Sequence, residues 1–172
     1  METAPEWYGK RVLVLGCGNI LFGDDGFGPA VIDHLKADFE IPEDVYAEDM
    51  GTGVRDLLFT VLLGEKKPMR IIVVDSMDVG REPGEVFRTE ADYLPVEKTD
   101  DFSMHQVPTS NLLKELKEHA GVDVVLVSCQ VESIPKEISA GLSEPVKRAV
   151  PRAAEEVMRA IRGENHSTKY HS

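Results

Sequence analysis

Two adjacent acids, Asp24 and Asp25, sit near the end of a glycine-rich run, Gly16-Cys17-Gly18-Asn19-Ile20-Leu21-Phe22-Gly23-Asp24-Asp25-Gly26-Phe27-Gly28. A third acid, Asp75, ends the apolar run Ile71-Ile72-Val73-Val74, and His105 stands within Ser103-Met104-His105-Gln106. Two carboxylates and one imidazole form a mixed oxygen–nitrogen donor set suited to a divalent transition metal. Three protein ligands with open coordination positions suit a metal that something else carries in. Taken singly, each residue also has a plainer use. Asp24 and Asp25 can be helix caps and surface charge, Asp75 a loop-stabilising carboxylate, and His105 a cap or packing residue.

A glycine-rich turn after a first strand also raises a dinucleotide site, which needs G-x-G-x-x-G so that a helix N-terminus can approach pyrophosphate. Here the third glycine position is Leu21, and Asp24 and Asp25 would repel the phosphates. A phosphate-binding loop of the Walker type requires Gly-Lys-Ser/Thr, which the run lacks. The run reads better as a device for presenting acid. Asp24 is expected to cap the coming helix, and Asp25 to project at the carboxyl end of a sheet, where open α/β folds place ligands. Gly26 and Gly28 leave room for another backbone to come close.

The elements that must position these residues follow from periodicity. Short apolar runs at 11–16, 70–75 and 122–129 read as strands buried on both faces, and 45–49 as a further strand ending at Gly51-Thr52-Gly53. Pro29 to Lys36, 54–63 and 108–119 read as helices, and Val146, Val150, Ala153, Val157 and Ile161 form the stripe of a closing helix. Pro83-Gly84 marks a turn before a short strand at Val86-Phe87, and 90–104 reads as a long polar loop. Alternating strands and helices indicate an α/β domain with a largely parallel sheet and helices on both faces. Residues 1–162 are expected to form that single domain, with 163–172 a disordered tail.

Nineteen Lys and Arg against 31 Asp and Glu give a net charge of −12, which argues against general affinity for nucleic acid or anionic lipid. The expectation is a protein with no nucleic-acid partner and no membrane association. No cationic leader and no apolar run of membrane-spanning length is visible, which predicts a cytoplasmic chain. The two cysteines, Cys17 and Cys129, lie far apart in apolar runs and read as small buried hydrophobes. His34 and His119 lie on helices among charged neighbours and read as solvated.

Taken together and in order, GCGNILFGDDGFG, the GTG turn, IIVVDSMD followed by PG, and SMHQ resemble the hydrogenase maturation proteases, over roughly residues 11–161. The resemblance implies a three-layer α/β/α sandwich on a five-stranded, mostly parallel sheet with one antiparallel strand. It implies an endopeptidase that removes, in a single cut, the C-terminal extension of a nickel–iron hydrogenase large-subunit precursor once nickel is inserted. It carries metal-contacting and catalytic roles onto Asp25, Asp75 and His105, and makes Gly51, Thr52 and Gly53 part of the substrate cleft. Many relatives have Glu where this chain has Asp25. The metal is expected to be nickel recognised in the substrate, with another divalent transition metal in the resting protein as the alternative. The overall wording is closest to peptidases serving the deazaflavin-reducing hydrogenases of methanogens. No Ser-His-Asp or Cys-His arrangement is evident, so no acyl-enzyme is expected. The rival reading is a non-proteolytic, nickel-sensing assembly chaperone on the same fold.

Overall fold

The strands' two-residue alternation sorts the core into two faces. In β1 (Val12–Cys17), Val12 and Val14 turn to one side, and Leu13, Leu15 and Cys17 to the other. The computed structural model describes residues 3–90 and 106–165, the side chains of 106–110 excepted. Within them β2 (Val45–Gly51), β3 (Arg70–Met77), β4 (Val86–Glu90) and β5 (Asp123–Gln130) join β1 in one five-stranded sheet, ordered β2-β1-β3-β5-β4. All pairings are parallel except β4 against β5.

Helices cover both faces. Helix α1 (Phe27–Asp38) and α4 (Glu144–Ile161) pack on the side holding Val12, Val14, Ile72, Val74, Val125 and Val127. Helix α2 (Val54–Leu63) and α3 (Gln106–Ala120) pack on the side holding Leu13, Leu15, Ile71, Val73, Val124 and Leu126. This is the expected three-layer sandwich. Strands buried on both faces read as continuous apolar runs, which is why β1, β3 and β5 were legible from hydropathy.

Edges moved little from expectation, with additions at helix ends and strand exits. The 45–49 strand runs on to Gly51, and the one at 70–75 to Met77. The expected loop at 90–104 falls, from 91 on, outside the described residues. Glu90 pairs with Val125, near the start of β5, so β4 ends at the amino edge of the sheet. Helix α3 is the crossover into parallel β5, and such a helix begins at the carboxyl edge. At the other terminus, the Gly163 and Glu164 amides still donate to Ala160 and Arg159 carbonyls, at 3.1 and 2.9 Å. Residues 166–172 of the expected tail lie outside the described residues. No described helix is long and apolar enough to cross a membrane.

Candidate active site

The glycine run leaves β1, makes a single 3-10 turn at Gly23–Gly26, and enters α1. Two glycines make that path sterically feasible. Gly18 has φ +128°, and a Cβ there would lie 1.9 Å from the Asp25 carbonyl oxygen. Gly28 sits against strand backbone, where a Cβ would lie 2.3 Å from the Cys17 carbonyl oxygen and 2.5 Å from that of Val74. The expected room for close backbone approach at Gly28 is therefore real.

The two adjacent acids have different fates. Asp24 is 1% exposed, and its carboxylate is filled by the chain itself. It accepts the Glu132 amide at 2.9 Å, the Ser143 amide at 2.7 Å and the Ser143 hydroxyl at 2.8 Å. The expectation that Asp24 caps the following helix is corrected here. Neither the 3-10 turn nor α1 has a side-chain cap. Asp24 instead sits at the start of α4, where Ser143 is the N-cap residue and its hydroxyl donates to Asp24. A negative charge at a helix N-terminus is favourable, and this contact spans 119 positions. Local spacing cannot reveal such a partner.

Asp25 points elsewhere. Its Oδ2 accepts the Asn19 amide at 2.9 Å, and its Oδ1 takes no hydrogen bond from a described residue. Asp75 is buried at the end of β3, where its Oδ1 accepts the Ser76 amide at 2.8 Å. Alternation puts Asp75 on the α2/α3 face, in register with Ser128 of β5. The Ser128 hydroxyl is buried without a hydrogen-bond partner.

Cys17 reports how these charges converge. Its buried thiol is pushed well above its ordinary pKa, first by burial and then by the negative charges of Asp75, Asp49 and Asp25. The structure thus brings Asp25 and Asp75 near Cys17 at the carboxyl edge, the edge to which the sequence reading assigned both, with Asp25 Oδ1 3.5 Å from where a Cβ on Gly18 would stand. It adds Asp49, which that reading missed. Asp49 is exposed, pairs with Gly16, and accepts the Gly51 amide at 2.8 Å. A bulge between Gly16 and Cys17 brings Cys17 opposite Gly51 rather than Met50, a device that re-aims residues near sites. The available signal was an acid at the end of the expected 45–49 strand, as Asp75 is at the end of its apolar run.

The Gly51-Thr52-Gly53 turn is joined to the same place. The Gly18 amide donates to the Gly51 carbonyl at 2.9 Å, and Thr52 and Gly53 are exposed beside it. His105 lies outside the described residues, one position ahead of α3. Among the described residues no group of three or more His, Cys, Asp and Glu side chains forms a metal-holding cluster. The other described histidines sit in helical pairs, His34 with Asp38 at 3.3 Å and His119 with Glu115 at 3.7 Å. Cys129 is buried as expected, and burial together with the charge of Asp24 pushes its thiol up to about 12. Neither thiol is poised to ionise as a nucleophile near neutral pH.

Comparison with known proteins assigns this arrangement. Residues 29–160 match the family model described as hydrogenase maturation protease. The chain belongs to that family. It is an endopeptidase, and the non-proteolytic chaperone reading is not favoured. Among curated relatives, the chain is 42% identical over 162 residues to the coenzyme F420 hydrogenase subunit delta of Methanothermobacter thermautotrophicus, covering 90% of this chain and 96% of that one. It is 27% identical over 154 residues to the hydrogenase 3 maturation protease of Escherichia coli, covering 88% of each. Among solved structures, the hydrogenase maturating endopeptidase HybD from Escherichia coli superposes with a TM-score of 0.75 at 28% identity, over 89% of this chain and 93% of that one.

Proposed function

We propose that this endopeptidase removes the C-terminal extension of a nickel–iron hydrogenase large-subunit precursor in one cut, and that it reads the precursor's nickel with Asp25, Asp75 and His105. The observation that carries this reading is geometric: Asp75 lies near the end of β3, and in the run leaving the neighbouring β1 the Asp25 carboxylate is held by the Asn19 amide with its Oδ1 3.5 Å from where a Cβ on Gly18 would stand. Carboxylate oxygens with one imidazole suit a divalent transition metal, so the donor chemistry fits nickel. The start of α3 belongs to the same edge, and His105 precedes it by one position in the sequence. Asp25 keeps one oxygen without a hydrogen bond from a described residue, as a group that meets an incoming ligand requires.

In this reading the metal arrives with the substrate and anchors it, so only a loaded precursor is held for cutting. A metal held at this edge would also polarise a carbonyl or bring a water's pKa to about 7, which is the chemistry it could add. The exposed Gly51-Thr52-Gly53 turn, hydrogen-bonded to the glycine run, forms a wall along which the tail can lie. The 42% identical relative is named for coenzyme F420, a deazaflavin. That supports a precursor from a deazaflavin-reducing hydrogenase.

The test mixes the purified protein with nickel-loaded and nickel-free precursor and follows loss of the C-terminal peptide by mass spectrometry. Cleavage of the loaded form alone is expected. Equal cleavage of both forms would remove the nickel-reading role while leaving the peptidase.

A further inference from the structure

Seven large apolar side chains are exposed among the described residues, and three of them, Ile20, Leu21 and Ile138, belong to segments that meet beside Asp25. Their exposures are 59%, 44% and 70%. Ile20 and Leu21 form the tip of a tight turn closed by the Phe22 amide donating to the Asn19 carbonyl at 3.1 Å. The Leu21 amide also donates to the Asn19 side chain at 2.9 Å. Tips of such turns normally carry Gly, Asn, Asp or Ser, not Ile-Leu. The first residue of this turn, Asn19, is the one whose amide binds the Asp25 carboxylate.

Ile138 is brought there by a long-range attachment. Ser139 bridges Phe22 in parallel fashion, its amide donating to the Leu21 carbonyl and its carbonyl accepting the Gly23 amide, both at 2.8 Å. That bridge sets Ile138 opposite Leu21 along the backbone, one position before each bridge partner. Asp24 reinforces the attachment by binding Glu132 and Ser143, at the two ends of the segment that contains Ile138. A buried carboxylate and two backbone bonds thus hold three aliphatic side chains in water. That arrangement is unfavourable unless something covers them.

We infer that Ile20, Leu21 and Ile138 form an apolar shelf that receives the first residues of the precursor's C-terminal extension, just beyond the bond to be cut. This rests on the functional reading above. The occupant is assigned from continuity with the carboxylate edge, since Ile20 follows the residue bonded to Asp25. It is assigned as apolar from the shelf itself, and as not acidic from the Asp25 carboxylate bonded to the first residue of the Ile20-Leu21 turn.

The experiment measures affinity, not cleavage, by fluorescence anisotropy of labelled precursor and of labelled mature subunit lacking the extension. Leu21→Asp and Ile138→Asp, both at exposed positions, are expected to weaken binding of the precursor by about tenfold each. Binding of the mature subunit should not change, and Ile138→Leu should restore precursor affinity to within about twofold of wild type. Unchanged precursor affinity overturns the proposal. So does an equal loss for the mature subunit, which would place the contact on the subunit body. So does a change in self-association by sedimentation in its place, which would make a second copy the occupant. A wild-type protein that binds the precursor through the shelf without cutting it would instead break the functional reading alone.

Discussion

The two ends of the sheet treat charge in opposite ways. At the amino edge, acids and bases from neighbouring parallel strands pair off. Arg11 meets Asp44 at 2.6 Å at the start of β1 and β2, and Arg70 meets Asp123 at 2.5 Å at the start of β3 and β5. At the carboxyl edge, Asp25 and Asp49 accept only backbone amides, with no ion pair to a described Lys or Arg. Paired charge joins neighbouring strands at one end, whereas carboxylates close together at a sheet's carboxyl edge are a feature of functional sites. The glycine run repeats the contrast in miniature. Asp24 is filled by three hydrogen bonds from the fold, and Asp25 accepts one amide.

The sharpest way to break this comparison is at the glycines that let the run pass. Gly18→Ala or Gly28→Ala forces a Cβ onto backbone at 1.9 or 2.3 Å, and is expected to cost about 3 kcal/mol or more. Urea denaturation reads this directly, and a near-wild-type midpoint for either variant would contradict the packing described. Next in size, Asp24→Ala leaves two part-buried amides and a hydroxyl without their acceptor, at a cost of about 1–3 kcal/mol.

Asp25→Asn should behave in the opposite way. It retains an acceptor for the Asn19 amide and removes one of three clustered charges. Processing of the precursor is expected to stop while the thermal midpoint holds or rises, because relieved repulsion favours the fold. If Asp24→Ala kept its stability and Asp25→Asn lost it, the division of labour between the two acids would be reversed.

Smaller effects sharpen the edges. Ser128→Ala removes a buried hydroxyl that has no partner, so its effect should stay within about 1 kcal/mol and lean toward stabilisation. Arg11 holds the Asp44 carboxyl below its ordinary range, chiefly through its hydrogen bond. A depressed folded-state pKa means that the stabilisation is present above the unfolded value of about 4 and is lost as pH falls through the folded one. Arg11→Met should therefore have a slightly lower urea midpoint than wild type at neutral pH. The gap should close in acid, and a gap that persisted below that range would point to lost packing instead of the ion pair.

Much of the architecture was legible in the order of residues. Apolar runs announced β1, β3 and β5, helical spacing placed α2 at residues 54–63, and the ordered motifs pointed to the family. Asp75 was identifiable as an edge acid because it closes the apolar run of a buried parallel strand, and Asp25 because it ends the glycine-rich turn that leaves another. Asp49 was not, since its strand is only partly buried and a polar residue there looks like any solvated position.

What the sequence by itself determined was the set of elements, because local periodicity and turn chemistry act over a few residues. Tertiary structure alone decided which of two neighbouring acids faces inward, since that depends on Glu132 and Ser143 arriving from the far end of the chain. It also decided that Ile138 lies opposite Leu21 along the backbone, and that Arg11 and Arg70 find their partners at the amino edge. Those partners are more than thirty positions away. Contacts of that span are set by how strands order and helices pack, and no short window of sequence contains them.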